Sequence, residues 1–187
     1  MAQRKRSARH RADLTIVETS PSWIQYDPID IFRALNAAGV KYMVVGGIAA
    51  ILHGVNRFTW DVDLAVELTT PNLSRLARAL EQLGFVRRVP VPIQGLASMK
   101  KRRAWLEGKG MKVYSFIERK PPQRVVDVMV NPPEPFGQVY RRRMVRDAGG
   151  VAVPVVPVDV LVSMKRAAGR PEDVVDIQML KQIAEFE

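Results

Sequence analysis

The chain contains no cysteine in 187 residues. That excludes a disulfide framework, a thiolate nucleophile and a cysteine-ligated metal. A cysteine-free chain suits a reducing compartment, and the cytoplasm is the expected location. Histidine is scarce too. His10 and His53 alone give little support to zinc chemistry or to a histidine-based catalytic triad, and His53 reads as a packing or capping residue. Long apolar runs are also missing. The longest, Met43 to Leu52, is about half the roughly 20 residues that a membrane span needs, and the N-terminus has no apolar segment of the secretory type. No internal repeat is present.

What is abundant is positive charge. Lys and Arg number 29 against 19 Asp and Glu, a formal net charge of +10. Such an excess favours a polyanionic partner through release of counterions, although a basic surface is equally compatible with simple solvation. The hydrophobic fraction of 47% is that of a globular protein. Arg4, Lys5, Arg6, Arg9 and Arg11 cluster in a stretch with almost nothing apolar, so residues 1–22 are expected to form a flexible basic arm ahead of one folded domain over 23–187.

Folding proper is expected to begin at Asp27 as helix cap with Pro28 at the first helical position. Ile31, Phe32, Leu35 and Ala38 recur at helical spacing up to Gly39. Lys41 to Val45 reads as a short buried strand, and Gly46-Gly47 turns it into a small-residue helix over Ile48 to Leu52. Trp60 to Glu67 alternates as a strand, with Val62, Leu64 and Val66 on one face and Asp61, Asp63 and Ala65 on the other. Thr70-Pro71 opens an amphipathic helix that stops at Gly84. Further strands are expected over Phe85 to Val89, Lys112 to Ile117 and Arg124 to Val130. Pro90 to Gly110 reads as a loop or irregular excursion. Arg141 to Val145 and Val151 to Val155 form a hairpin around Gly149-Gly150, and Asp159 to Ala168 and Pro171 to Glu185 form two helices. The fold class is therefore α/β: a mixed, twisted sheet with flanking helices, the catalytic sheet at about 40–131, and a C-terminal helical hairpin at about 158–186.

The chemistry concentrates in three places. Asp61 and Asp63 are two residues apart on a strand and project side by side. Two such charges about 6 Å apart repel by roughly 2–3 kcal/mol at an effective dielectric near 20. A hard divalent cation relieves that repulsion, and oxygen ligands select magnesium or manganese. Asp127 stands alone in the apolar strand Arg124 to Val130, where a charge is costly unless it meets water, a partner or a metal. If its strand lies beside that of Asp61 and Asp63, three carboxylates converge, enough to clamp the attacking and leaving oxygens of a displacement at phosphorus. Otherwise Asp127 is a solvent-facing residue of an edge strand. Gly46-Gly47, between strand and helix, lets backbone N–H groups approach phosphate oxygens, or simply allows a tight turn. Arg57 offers a fork to phosphate, or pairs with Asp61. Lys165, which follows the apolar run Val160 to Met164, reads on its own as a residue that snorkels from a core-facing helix. Arg170, Asp173 and Asp176 read as caps and ion pairs within the helical hairpin.

These motifs resemble the DNA polymerase β-type nucleotidyltransferase superfamily: an apolar strand, Gly46-Gly47, a gap of thirteen residues, Asp61-Val62-Asp63, then Asp127 on a later strand. More narrowly, Val45 to Ala50, Arg57 to Leu64 and the tail Met164 to Asp176 are similar to the small bacterial enzymes of toxin–antitoxin and abortive-infection systems, the AbiEii-like or minimal nucleotidyltransferase branch. The region 88–122 matches nothing in that pattern. The resemblance implies Mg²⁺ (or Mn²⁺) held by Asp61, Asp63 and Asp127, with Asp127 also helping to deprotonate the acceptor hydroxyl. It implies a triphosphate cradled by Gly46 and Gly47 and assisted by Arg57 and Lys165. The implied reaction moves a nucleoside monophosphate from an NTP to RNA, such as a tRNA end, or to a partner protein, with a cognate toxin or antitoxin as a further partner. A binding module of the same fold whose transferase site is idle is the rival reading.

Overall fold

The computed structural model describes residues 27–186 apart from residues 122 and 134; the expected basic arm lies outside them. One mixed seven-stranded sheet carries the fold. Its strands are β1 (Tyr42–Val45), β2 (Asp61–Val66), β3 (Phe85–Arg87), β4 (Val113–Glu118), β5 (Val125–Met129), β6 (Met144–Ala148) and β7 (Val151–Val155), in the spatial order β3-β4-β5-β2-β1-β7-β6. The helices are α1 (Ile29–Ala37), α2 (Gly46–Leu52), α3 (Thr70–Gln82), α4 (Met99–Lys109), α5 (Phe136–Arg141), α6 (Val158–Ala168) and α7 (Pro171–Phe186). Among the described residues no helix is long and apolar enough to cross a membrane.

Alternation along the strands assigns the two faces of the sheet. Tyr42 and Val44 stand opposite Val66 and Leu64, and Val62, Val126, Val128, Tyr114 and Phe116 share their face. All are fully buried or nearly so. Tyr42 stacks on Phe32 of α1 at 6.5 Å, so this face is the one packed beneath α1 and, next to it, α3, whose Leu73, Leu76 and Leu80 join the same core. Arg124 fastens the arrangement from the β5 side. It donates to Glu118 and Asp30 and lies over the Phe85 ring at 5.5 Å. Asn72, fully buried on α3, ties the sheet to the helix layer: its amide accepts from Lys41 N–H at 2.8 Å and donates to Lys41 O at 2.9 Å and Glu67 O at 3.0 Å.

Several expectations are corrected. Pro90 to Gly110 is not irregular: a 3₁₀ turn over Ile93–Ala97 leads into α4. Lys100 to Arg103 mask this helix in the sequence because it has no buried residue and no apolar stripe. Its order comes from its ends and one anchor. Ser98 Oγ caps Lys101 N–H, Gly110 closes it in the left-handed region, and Trp105 packs so tightly on Gly95 that a Cβ there would stand 2.4 Å from the indole. The hairpin strand runs over Met144–Ala148, not Arg141 to Val145, because a two-residue turn at Gly149-Gly150, with φ of 58° and 77°, pairs Ala148 directly with Val151. The residues ahead of it form α5, with Phe136 and Val139 buried.

Replacing Asn72 by Ala leaves Lys41 N–H without its acceptor and removes the amide's donations to the Lys41 and Glu67 carbonyls, which keep only the Glu67 and Thr69 N–H groups. We expect a loss of about 2–3 kcal/mol in unfolding free energy by urea denaturation, with the slope of the transition unchanged; an effect within experimental error would show that Asn72 is not a fastening point.

Candidate active site

The site lies on the sheet face opposite α1 and α3. Strand β2 runs parallel to β5, in a register that sets Asp61 beside Val125 and Asp63 beside Asp127. The parallel pairing is anchored by the residues between: Val62, Leu64, Val126 and Val128 all have no exposed surface. A slip of either strand by one residue would turn its two apolar side chains out of the core, so hydrophobic burial holds two carboxylates side by side. The condition attached to convergence, that the Asp127 strand neighbour that of Asp61 and Asp63, is met. The edge-strand alternative for Asp127 is not, since β5 lies between β4 and β2.

On the other side of Asp63 stands β1, antiparallel, with Val45 opposite Asp63. Gly46 follows with φ of 66°, and a Cβ built on it would meet Asp63 Oδ2 at 2.0 Å. This glycine is demanded twice, by its left-handed backbone and by the carboxylate against it. Gly47 is tight in turn: a Cβ there would lie 2.6 Å from Thr59 Oγ1 and 3.5 Å from the Arg57 guanidinium carbon. The backbone from Gly46 into α2 is thus laid directly against the carboxylate strand, with room for little besides N–H groups at that edge.

Electrostatics follow from this crowding. Burial, then the charges of Asp127 and Asp61, push the Asp63 carboxyl up to about 7, while Arg170 and Lys165 pull in the opposite direction. Burial also raises Asp127, opposed by a hydrogen bond from Ser115, raised by Asp61 and opposed again by Arg88. Oδ1 of Asp127 is buried without a partner. A buried, unpaired carboxylate oxygen beside two further carboxylates fits a divalent cation. Among the described residues the acidic side chains are aligned on neighbouring strands, and are not gathered into a closed cluster of three.

The C-terminal hairpin meets this face through ion pairs. Lys165 on α6 is buried, its Nζ donating to Asp173 at 2.9 Å and to Asp176 at 2.6 Å on α7. Asp176 also accepts from Arg57. Arg57 therefore pairs with Asp176, not with Asp61, and holds its guanidinium carbon beside Gly47. Asp173 and Asp176 do bind within the hairpin as expected, and Asp176 additionally fastens it to the segment leading into β2. His53, at the end of α2, is a packing residue as expected, with Nε2 at 2.8 Å from Val156 O.

The structure places Asp61, Asp63 and Asp127 on one face of two adjacent strands, Gly46 against Asp63 and Arg57 beside Gly47, while Lys165 is engaged by Asp173 and Asp176. Sequence reasoning passed over Thr59, Ser115 and Arg88. Ser115 follows from alternation, since it falls on the carboxylate face of β4, and Thr59 continues the Asp61–Asp63 alternation two residues ahead of β2. Arg88 carries no such signal, because its neighbour in space, Ser115, lies far along the chain.

The sequence profile of the AbiEii family, a nucleotidyl transferase toxin of the Type IV toxin–antitoxin system, matches residues 30–187. No curated protein matches by sequence. Several solved structures share the fold. The lincosamide antibiotic adenylyltransferase LnuA, in its lincomycin-bound form, is 16% identical with a TM-score of 0.55, over 82% of this chain and 93% of that protein. ANT(2″)-Ia, in complex with adenylyl-2″-tobramycin, is 15% identical with a TM-score of 0.51, over 81% and 83%. A Thermotoga maritima protein given as a nucleotidyltransferase is 14% identical with a TM-score of 0.50, over 84% and 89%.

A raised carboxyl pKa means that ionising Asp63 opposes folding. The penalty is absent near pH 4, grows as pH rises toward 7 and is complete above it. Asp63→Asn, measured by thermal unfolding in the presence of a metal chelator, should therefore stabilise the protein at pH 8 by roughly 1 kcal/mol or more, about 2–4 °C. The gain should shrink as pH falls from 7 to 4. A pH-independent difference would sink the crowding argument.

Proposed function

The chain belongs to the AbiEii nucleotidyl transferase toxin family, and we propose that it is a Mg²⁺- or Mn²⁺-dependent enzyme transferring a nucleoside monophosphate from an NTP to RNA. The observation that carries this reading is the β2–β5 register, which sets Asp63 against Asp127 with Gly46 packed on the former. Asp61, Asp63 and Asp127 would hold the divalent cations. When bound, these supply charge neutralisation around the α-phosphorus and orient the reacting oxygens.

The protein's own groups divide the remaining work. Backbone N–H groups at Gly46-Gly47 hold the β- and γ-phosphates, next to the Arg57 guanidinium. Asp127 accepts the proton of the acceptor hydroxyl as its oxygen forms the new bond to the α-phosphorus. The bond from that phosphorus to the bridging oxygen breaks, and pyrophosphate leaves with the electron pair. Lys165, whose ammonium is committed to Asp173 and Asp176, acts from behind the site, as a fixed charge that favours ionised Asp63 and as the core of the network orienting Arg57. The family's place in a Type IV system makes a cognate antitoxin the expected biological partner, and the basic surplus makes RNA a better acceptor than a protein.

Incubating the protein with Mn²⁺, each labelled NTP and total RNA should give labelled RNA. The double change Asp61→Asn, Asp63→Asn should lower transfer by roughly a thousandfold or more, the scale on which charge-stabilising groups at such sites act. It should also abolish the rise in melting temperature that saturating Mn²⁺ gives the wild type. Label appearing on protein alone would overturn the RNA acceptor, and transfer surviving the double change would overturn the site.

A further inference from the structure

The residues facing the open side of the sheet form one transverse row. Val45 stands opposite Asp63, Asp63 beside Asp127, and Asp127 opposite Ser115. Just past β3, Arg88 N–H donates to Ser115 O at 2.9 Å, so Arg88 is the next member. The row thus reads phosphate cradle, carboxylates, hydroxyl, guanidinium, across five neighbouring chain segments. With strands about 4.8 Å apart, the Arg88 backbone lies two spacings, roughly 10 Å, from that of Asp127. The proposed donor phosphates lie at the opposite end, by Gly46-Gly47.

In-line displacement at phosphorus requires the attacking oxygen to enter opposite the leaving one. With pyrophosphate held on the β1 side of the carboxylates, the acceptor must arrive from the β4 side, over Ser115. There it meets Arg88, which is exposed and, among the described residues, makes no side-chain hydrogen bond or ion pair. Its neighbour Arg87, by contrast, lies on the other face, where its charge acts on Tyr114. Val86, Ile117 and Val125 flank the row as partly buried apolar side chains, an uncharged surface beside the guanidinium. A groove of about 630 Å³ lies at the β3 edge, with Val86, Arg87 and Arg119 among its walls and Glu81 its acidic member. The basic run on α4 does not serve this path, because α4 packs through the 3₁₀ turn against α3, on the covered side.

We propose that Arg88 is a positioning residue for the acceptor, holding the phosphate next to the attacking hydroxyl of a single-stranded RNA end laid across β5 and β4. This rests on the transferase reading above and names the acceptor's path within it. An exposed guanidinium with no hydrogen-bonded partner among the described residues can take a phosphate in its fork, and the apolar side chains beside it offer uncharged surface to the adjoining nucleotide.

Two measurements on the full chain test it. The first is binding of a short fluorescein-labelled single-stranded RNA with a free terminal ribose, by anisotropy across a salt series. The second is NMP transfer to that RNA. Arg88→Ala should weaken RNA binding and raise the acceptor KM about tenfold, and flatten the slope of log affinity against log salt by about 0.7, the loss of one phosphate contact on a single strand. The KM for NTP should stay at its wild-type value, and the Mn²⁺-induced thermal shift should be retained or enlarged, because Arg88→Ala removes a positive charge that acts on Asp127. Arg88→Lys should keep the salt slope and recover only part of the affinity. Equal RNA affinity and salt slope for wild type and Arg88→Ala, no RNA binding by the wild type, or undiminished labelling of a protein acceptor by Arg88→Ala would each overturn the proposal. Absence of NMP transfer by the wild type, with Arg88-dependent RNA binding intact, would instead overturn the transferase reading.

Discussion

Everything at this site depends on the parallel pairing of β2 with β5, in the register that sets Asp63 directly beside Asp127. Left to themselves the two carboxylates would separate. They are held by Val62, Leu64, Val126 and Val128, whose side chains point the other way and are wholly removed from water. Fully burying one such side chain is worth about 1.5–3 kcal/mol, so four of them outweigh a repulsion of a few kcal/mol between partly solvated acids. The sheet stores the tension as a raised proton affinity at Asp63 and an unpartnered oxygen on Asp127. That is the state from which a divalent cation is bound favourably.

The second constraint is charge of the opposite sign held at a distance. Lys165, Asp173 and Asp176 are all buried, and such groups persist only when mutually paired. Here the pairing spans three chain segments, α6, α7 and the approach to β2, through Arg57. Removing one member would leave its partners charged and unsolvated and so destabilise the fold, although the intact network adds little net stability over apolar packing in its place. It keeps a guanidinium beside Gly47 and two cations within range of Asp63. The helical hairpin is therefore part of the site's electrostatics.

Much of the fold was legible because its elements obey simple periodicities. Leu73, Leu76 and Leu80 announce α3, and the alternation from Asp61 to Val66 announces β2 and the outward pair of acids. The glycine turn at Gly149-Gly150 announced a hairpin, although the reach of its first strand came from the turn's geometry. α4 was illegible for the converse reason. Its helical order rests on capping by Ser98 and Gly110 and on one indole over Gly95, not on a repeated apolar stripe.

By itself the sequence determined the identity and local spacing of the reactive groups: a glycine pair after a buried strand, two aspartates on one strand face, a lone aspartate among valines. Those are properties of neighbouring residues, set by a two-residue strand period and the conformational freedom of glycine. Only the tertiary structure decided which groups meet across the chain: Asp63 with Asp127, Arg57 with Asp176 instead of Asp61, and Arg88 with Ser115 at the end of the same row. The reason is physical. Strand order and register are chosen by the burial of side chains on the far face of the sheet, and nothing in the spacing of polar residues records that choice.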